Sequence, residues 1–146
     1  MQNTFFILKS KAQENYDSAE LLKAQDKCNA AISRYYYSIY QRILCILCLT
    51  IDSDCRTYDI GVNSHIKTIE ALSNVLMRDF TDDVFRHSFL HIIEKIKKVK
   101  NARKAADYKD QWFDKRQLML YDATIVEVNN KLDELLVRYN ERKESV

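Results

Sequence analysis

Residues 85–106 read FRHSFLHIIEKIKKVKNARKAA, and this stretch decides the fold class. Its apolar side chains recur in steps of four and three, the period of an amphipathic α-helix. The stripe consists of Phe85, Phe89, Ile92, Ile96, Val99 and Ala106, with Arg103 in line between the last two. A guanidinium that loses its water without gaining a partner costs several kcal/mol. We therefore expect Arg103 to pair with an acid, or to line a polar cleft or a subunit interface.

The same period on both sides of this stretch predicts five helices in all. They span approximately 4–25, 26–51, 63–80, 82–108 and 115–142. Asp26 and Thr81 are the predicted N-caps of the second and fourth helices. Residues 52–62 are predicted to form a loop because they lack a period, and the polar end 141–146 is predicted to fray.

The composition supports a helical fold. The chain of 146 residues has one glycine and no proline, the residues on which the tight turns of sheet proteins depend. All-β sandwiches, barrels and α/β folds are therefore nearly excluded. Short connections between successive helices favour antiparallel neighbours. The prediction is a single all-α domain over 1–146, an up-and-down antiparallel bundle of about five helices.

The charge balance and the cysteines indicate which binding partners and which cellular compartment to expect. With 23 basic and 21 acidic residues the net charge is +2, which does not require a nucleic-acid partner. No apolar stretch is long enough to span a membrane, and the first residues do not read as a signal peptide. The sequence therefore predicts a cytoplasmic protein that has no membrane partner. Its cysteines, Cys28, Cys45, Cys48 and Cys55, are expected to be reduced.

Two patterns on the second helix admit a structural and a functional interpretation. Cys45-x-x-Cys48 is half of a zinc site, but it lies in an apolar run where cysteine packs as a small hydrophobic residue. Residues 35–37 are three tyrosines in a row, and Tyr40 follows. They provide core tyrosines with one at a surface or interface, or else a platform on which bases stack. We favour core packing for the cysteines and expect no metal.

The fourth helix carries a basic block around Arg103. Its other members are Lys95, Lys97, Lys98, Lys100 and Lys104. Cations near the C-terminus of a helix complement its dipole, which is the structural interpretation. A strip that binds phosphates is the alternative.

Three motifs, taken together, carry a resemblance to a known family. The second helix contains AAISRYYYSIY over 30–40, the third opens with Ser64-His65, and the fourth ends in RKAADY over 103–108. In this order and spacing they resemble the HEPN family of small bacterial and archaeal proteins. The resemblance covers roughly residues 12–136.

The resemblance implies a HEPN-like helical bundle that forms a homodimer. Active members of the family are metal-independent ribonucleases, whose arginine and a histidine four to six residues later meet across the dimer. Many act as toxins beside a nucleotidyltransferase antitoxin, or in phage defence. Here the position five residues after Arg103 is Tyr108 instead of histidine. Arg86 and His91 have the family's spacing, but His91 lies on a polar face with His87 and is predicted to be solvated.

The first hypothesis is therefore a HEPN-type RNA-directed protein, with ribonuclease activity as its active version. Arg103 would bind the scissile phosphate, Tyr108 would position or activate the ribose 2′-hydroxyl, and Asp107 would orient either one. The side chains expected to bind RNA or a nucleotide are Arg34, Tyr37, His65, Lys100 and Lys104. No metal or other cofactor is expected. Because Tyr108 lies about 140° from Arg103 on a regular helix, we expect convergence only if the helix ends between them, or if a second subunit supplies one.

Two alternatives stay open. The same pocket would hold a nucleotide or a partner protein such as a nucleotidyltransferase, with no turnover and with Tyr108 as a target for nucleotidylation. Alternatively, the protein is a helical dimerisation module in which an i,i+4 ion pair between Arg103 and Asp107 is purely structural.

Overall fold

The computed structural model of the chain describes residues 2–50, 61–108 and 110–144. Within these ranges the chain forms five α-helices and no strand. The helices are α1 (Gln2–Ala24), α2 (Cys28–Thr50), α3 (Ser64–Asp79), α4 (Asp83–Tyr108) and α5 (Lys115–Glu144). The predicted all-α bundle is therefore confirmed. The end of the chain differs, because α5 continues through 141–144, where fraying was expected. Most of the predicted loop, 52–60, lies outside the described residues.

The helix α2 is the centre of the bundle and packs against each of the other four helices. Of its 23 residues, 14 are buried. The buried set includes the whole predicted stripe, Ile32, Tyr35, Ile39, Ile43 and Ile46. Each fully buried aliphatic side chain stabilises the fold by about 1.5–3 kcal/mol relative to an exposed one. The core of the protein is therefore organised around α2.

The contacts between helices give their directions. Tyr35 bonds to Glu20 and Cys45 bonds to Phe5, so α1 runs antiparallel to α2. Ser33 bonds to Asp107 and Tyr37 bonds to Arg103, so α4 also runs antiparallel to α2. The third helix differs from a strictly alternating order. Tyr36 contacts His65, and Tyr40 contacts Thr68 one turn later, so α3 runs parallel to α2. This direction brings the start of α3 beside the tyrosines of α2.

The predicted N-cap at Asp26 is wrong. Asp26 has a φ of 59° and lies just beyond the end of α1. Its backbone N–H donates to the carbonyl of Lys23, and that of Lys27 donates to the carbonyl of Leu22. This pair of bonds is a Schellman motif, with Asp26 in the left-handed position that usually holds glycine or asparagine. Aspartate suits both an N-cap and a left-handed residue, so the sequence alone did not distinguish them.

The cap of α4 is Asp82, one residue beyond the predicted Thr81. Its Oδ1 accepts a hydrogen bond of 3.0 Å from the backbone N–H of Phe85.

The helix α5 begins with a reciprocal pair of hydrogen bonds between side chain and backbone. Asp114 Oδ1 accepts from the N–H of Gln117, and Gln117 Oε1 accepts from the N–H of Asp114, at 2.8 and 2.9 Å. This capping box satisfies two donors that a helix start leaves free.

Among the described residues no helix is long and apolar enough to cross a membrane.

Cys28 and Cys45 are free and buried, and burial raises the pKa of the Cys45 thiol to about 12. Cys48 is disulfide-bonded, so the predicted reduced thiol is wrong at this position. It lies in the last turn of α2, where it is half-buried and packs against the core. Cys55 lies outside the described residues.

Candidate anion-binding site

Arg103 is buried between the end of α4 and the first half of α2. Only 7% of the residue is exposed, although it carries a permanent charge. It is held there because Val99 and Ala106, its neighbours in the apolar stripe, pack into or against the core. The structure must therefore provide partners for a desolvated guanidinium, as the sequence predicts.

Three tyrosines surround this guanidinium. Its central carbon lies 5.6, 5.1 and 5.3 Å from the ring centres of Tyr36, Tyr37 and Tyr108. Nη2 donates hydrogen bonds to the hydroxyl oxygens of Tyr37 at 2.8 Å and Tyr108 at 3.3 Å. The ring faces and the hydroxyl oxygens are negative, so they stabilise the buried cation.

Asp107 supplies the opposite charge. Its Oδ2 lies 3.0 Å from Nε of Arg103, which is the predicted i,i+4 ion pair. Nε is nevertheless buried without a hydrogen bond, because its N–H does not point at this oxygen. The same oxygen accepts a hydrogen bond of 3.3 Å from Ser33 on α2. We call Arg103, Asp107 and the three tyrosines the Arg103 cluster.

The contact between Arg103 and Tyr108 corrects one expectation. We expected the two to meet only through a helix end between them or through a second subunit. In the structure α4 continues to Tyr108, and the two side chains of one chain are in contact. Side chains on a helix lean towards its N-terminus, so Tyr108 reaches back over the preceding turn. Both side chains are long, which covers the angular offset of an i,i+5 pair.

Lys100 lies one turn before Arg103 and is also buried, with 7% exposed. No acid forms an ion pair with it within the part of the chain that the structure describes. Burial lowers its pKa from the ordinary 10.5, and the positive charges of Lys104, Arg103 and Lys97 lower it further. Lys104 is exposed on the next turn. We call Lys100, Arg103 and Lys104 the cationic strip.

Other lysines of the basic block have structural partners. Lys95 pairs with Glu127 on α5. Lys97 pairs with Glu94 at 3.6 Å on α4 itself. Lys98 is exposed, and its Nζ lies 5.8 Å from the ring centre of Tyr121 on α5. The remaining members of the basic block form the cationic strip, in which Asp107 is the one acid paired with three cations among the described residues.

His65 forms a second layer behind the Arg103 cluster. A hydrogen bond of 2.8 Å joins its Nδ1 to the hydroxyl of Tyr36. Its ring stacks on Tyr40 with 4.2 Å between centres, and it meets the edge of Tyr37 at 6.0 Å. The imidazole is thus connected to Arg103 through the tyrosines and fixes their orientation.

Some predicted residues lie elsewhere. Arg34 is exposed, and its Nη1 donates to Asn15 on α1 at 3.2 Å, so it is not brought into the cluster. His87 and His91 are exposed, as predicted for a solvated face. Arg86 donates to the backbone carbonyls of Phe80 and Met77 near the end of α3, which is a structural role.

Sequence reasoning missed Asn29, which holds the end of α4. Its Nδ2 donates to the carbonyls of Ala106 at 3.1 Å and Gln111 at 3.0 Å. Its Oδ1 accepts from the backbone N–H of Phe113 at 2.8 Å. One side chain therefore ties the connection between α4 and α5 to α2, directly beside the Arg103 cluster. An asparagine in the first turn of a helix carries no periodic signal that could have revealed this role.

The cluster leaves a set of donors unused. Nη1 of Arg103 makes no hydrogen bond among the described residues. The hydroxyls of Tyr37 and Tyr108 accept from Nη2, and neither donates its own hydrogen to any described residue. The unused donors are therefore Nη1 of Arg103 and the hydroxyls of Tyr37 and Tyr108. Lys100 and Lys104 add positive charge on the neighbouring turns of α4, and Asp107 is the acid that pairs with this group. Such an arrangement is suited to an oxyanion.

Within residues 2–50, 61–108 and 110–144, no group of three metal-ligating side chains comes together. Comparison of the chain with protein-family models, with characterised proteins and with solved structures finds no match. The fold and the site define the chain as a five-helix bundle with a cationic, tyrosine-lined cluster between α2 and α4.

Proposed function

We propose that the protein binds single-stranded RNA through the cationic strip, as a HEPN-type RNA-directed protein. The observation that supports this most is the cationic strip, in which Lys100 and Arg103 are each 7% exposed and Asp107 is the one acid paired with the strip among the described residues. Cations that lose part of their hydration and have few acidic partners are stabilised when an anion binds beside them. The phosphates of RNA supply that anion, and the exposed ring of Tyr108, at 74%, offers a face on which a base stacks.

In the catalytic version of this proposal, RNA is cleaved without a metal. Nη1 of Arg103 and the hydroxyl of Tyr37 bind the non-bridging oxygens of one phosphate. The hydroxyl of Tyr108 orients the ribose 2′-hydroxyl. The 2′-oxygen attacks phosphorus and loses its proton to water, while the P–O5′ bond breaks and the 5′-oxygen takes a proton from water. The cationic strip stabilises the charge that develops on the phosphorane-like transition state.

The first test is binding. Arg103→Gln should weaken the affinity for a short single-stranded oligoribonucleotide about tenfold or more, because one charge-assisted phosphate contact is lost. Fluorescence anisotropy measures the affinity, and circular dichroism checks the fold. Arg116→Gln is the matched control, since Arg116 is exposed on α5 and forms no ion pair with any residue that the structure describes. A folded Arg103→Gln protein with unchanged affinity would contradict the proposal.

The second test is cleavage of an end-labelled oligoribonucleotide in EDTA. We expect scission to persist with EDTA and to be lost in both Arg103→Gln and Tyr108→Phe. RNA that is bound but never cut would retain the binding proposal and remove the catalytic one. Growth arrest on expression, lost in Arg103→Gln, is the expected outcome if the protein acts as a toxin.

A second candidate is a non-catalytic module that a nucleotidyltransferase modifies. The exposure of Tyr108 favours it, because a hydroxyl next to Arg103 on a 74% exposed ring is accessible to a partner enzyme. Intact-mass measurement after co-expression with a neighbouring nucleotidyltransferase tests it. An added nucleotidyl mass that disappears in Tyr108→Phe supports this candidate, and an unmodified chain contradicts it.

A homodimer is part of the first proposal. Two copies of the cationic strip would line one cleft and double the positive charge that faces an RNA strand. Sedimentation equilibrium should give twice the chain mass of 17.3 kDa. A monomer that still binds RNA would show that one copy of the strip is sufficient.

A further inference from the structure

A cavity lies on the other side of α2 from the Arg103 cluster. It has a volume of about 910 Å³ and opens to solvent between the start of α1 and the C-terminal halves of α2 and α5. Much of its wall is apolar, formed by Phe5, Leu49, Leu136 and Val137. Pockets for small molecules typically have volumes of roughly 300–1,000 Å³ and mostly apolar walls. The cavity is therefore of a size and character suited to an apolar ligand.

A buried guanidinium contributes to the wall of this cavity. Arg42 is 7% exposed and lines the cavity. Its Nε pairs with Asp133 at 3.0 Å, and its Nη1 donates to the carbonyl and hydroxyl of Ser38. Nη2 has no partner in the part of the chain that the structure describes. Because its other nitrogens are engaged, Arg42 offers the donors of Nη2 to a molecule in the cavity.

The charges around the cavity are not balanced. The charged side chains that line it are Lys9, Arg42 and Asp133, which together carry one net positive charge. Lys9 is exposed and forms no ion pair with a described residue. The occupant that complements both walls and charge is therefore a monoanion with an apolar body.

We propose that this cavity binds a small amphipathic carboxylate, such as a medium-chain fatty acid. The carboxylate accepts hydrogen bonds from Nη2 of Arg42 and from the Lys9 ammonium. The alkyl chain lies along the apolar wall that Phe5 and Leu136 form. This site is separate from the proposed RNA site, so either proposal can fail without the other.

Titration of the full chain with decanoate and with decan-1-ol, followed by ¹⁵N NMR, tests the proposal. We expect decanoate to bind saturably and about tenfold more tightly than decanol, because only the carboxylate gains charge-assisted hydrogen bonds. The shifted amides should belong to α1, α2 and α5 around the cavity. Equal affinities, or no saturation with decanoate, would overturn the proposal.

Two variants locate the site without disturbing the buried Arg42 pair. Lys9→Gln should weaken decanoate binding about threefold or more and leave decanol unchanged, since it removes one exposed cation. Val137→Trp, at a 57% exposed position of the wall, should weaken both ligands by occupying the cavity. Lys11→Gln and Leu120→Trp are the matched controls on the exposed faces of α1 and α5. If either wall variant left decanoate affinity at the wild-type value, the proposed site would be refuted.

Discussion

Lys100 and Arg103 lie one turn apart on α4, and each is 7% exposed. Among the described residues, Arg103 has an acid within ion-pair distance and Lys100 has none. Arg103 thus has most of what a buried charge requires, whereas Lys100 reduces stability while it remains charged and without an anion. A residue that costs stability in the free protein is one whose benefit is expected on binding.

Replacing Lys100 by methionine should therefore stabilise the fold and impair binding at the same time. Lys100→Met keeps the unbranched chain and removes the charge, so we expect a melting temperature higher by about 2–4 °C, the equivalent of roughly 1 kcal/mol. RNA affinity should fall several-fold. Thermal unfolding and anisotropy measure the two effects. Lys97→Met, which removes an exposed lysine of the same helix, should not raise stability. A destabilised Lys100→Met protein would contradict the interpretation of Lys100 as an uncompensated cation.

The lowered pKa of Lys100 also predicts a pH dependence. Because its folded pKa lies below 10.5, the unfolded chain binds more protons between these two values. This residue's contribution to stability should therefore rise as pH increases through that window. The difference in unfolding free energy between wild type and Lys100→Met should shrink as pH approaches 10.5. A difference that is constant with pH would show that Lys100 is not desolvated.

Asp107 has the opposite effect on the site, since it neutralises Arg103. Asp107→Asn should raise affinity for an oligoribonucleotide about two- to fivefold at low salt, because the net positive charge of the strip increases by one. Asp110→Asn, at an exposed acid just beyond α4, provides the control for a general charge effect. If Asp107→Asn instead abolished binding, the ion pair would be needed to hold Arg103 in place.

The sequence predicted the charge of the site better than its geometry. An arginine in an apolar stripe is visible from periodicity, and so is an acid one turn later. The contact between Arg103 and Tyr108 is not, because it depends on the tilt and reach of two long side chains. The burial of Lys100 could not be predicted either, because it results from how neighbouring helices pack in three dimensions.

At the scale of elements, the connection between α4 and α5 depends on Asn29. Three backbone groups at this connection, which would otherwise bond to water, form their hydrogen bonds with its side chain. Asn29→Ala should cost about 1–3 kcal/mol in the free energy of unfolding, since three hydrogen bonds are lost and two of them are partly buried. It should also weaken RNA binding, because the end of α4 carries Tyr108. Urea denaturation measures the first effect. Asn101→Ala, on the exposed face of α4, should change stability by much less.

In the turn between α1 and α2, a substitution is expected to stabilise the fold. Asp26 has a φ of 59°, which a side chain with a Cβ adopts at some cost. Asp26→Gly should therefore stabilise the protein by about 0.5–1 kcal/mol. The ion pair it loses, with Lys115 at 3.3 Å, is largely exposed and contributes little. A decrease in stability would mean that this ion pair outweighs the backbone strain.

Elements differ in how far the sequence determines them. Helix periods predicted the existence and approximate extent of all five helices, because each helix buries apolar side chains along one face. Caps were less certain, since Asp26 and Thr81 belong to residue types that serve several local conformations. The alternating order predicted for the helices did not give the direction of α3, because that direction depends on a connection with no periodic signal. That direction places His65 behind the tyrosines, so the second layer of the site was not foreseeable.

At the scale of the whole molecule, RNA binding cannot rest on net charge, which is only +2. It depends on the local cationic strip, and this fixes how binding should respond to salt. Three cations that neutralise about three phosphates of a single strand predict a slope near −2 for log affinity against log salt concentration. Lys100→Met should reduce the magnitude of the slope by about 0.7, whereas Lys11→Gln on α1 should leave it unchanged. If a homodimer engages both strips on one strand, the slope should be about twice as steep as this value for one strip, so the measurement also reports how many copies contact the RNA. A slope near zero would mean that binding is not electrostatic, and the cationic strip would then lose its proposed role.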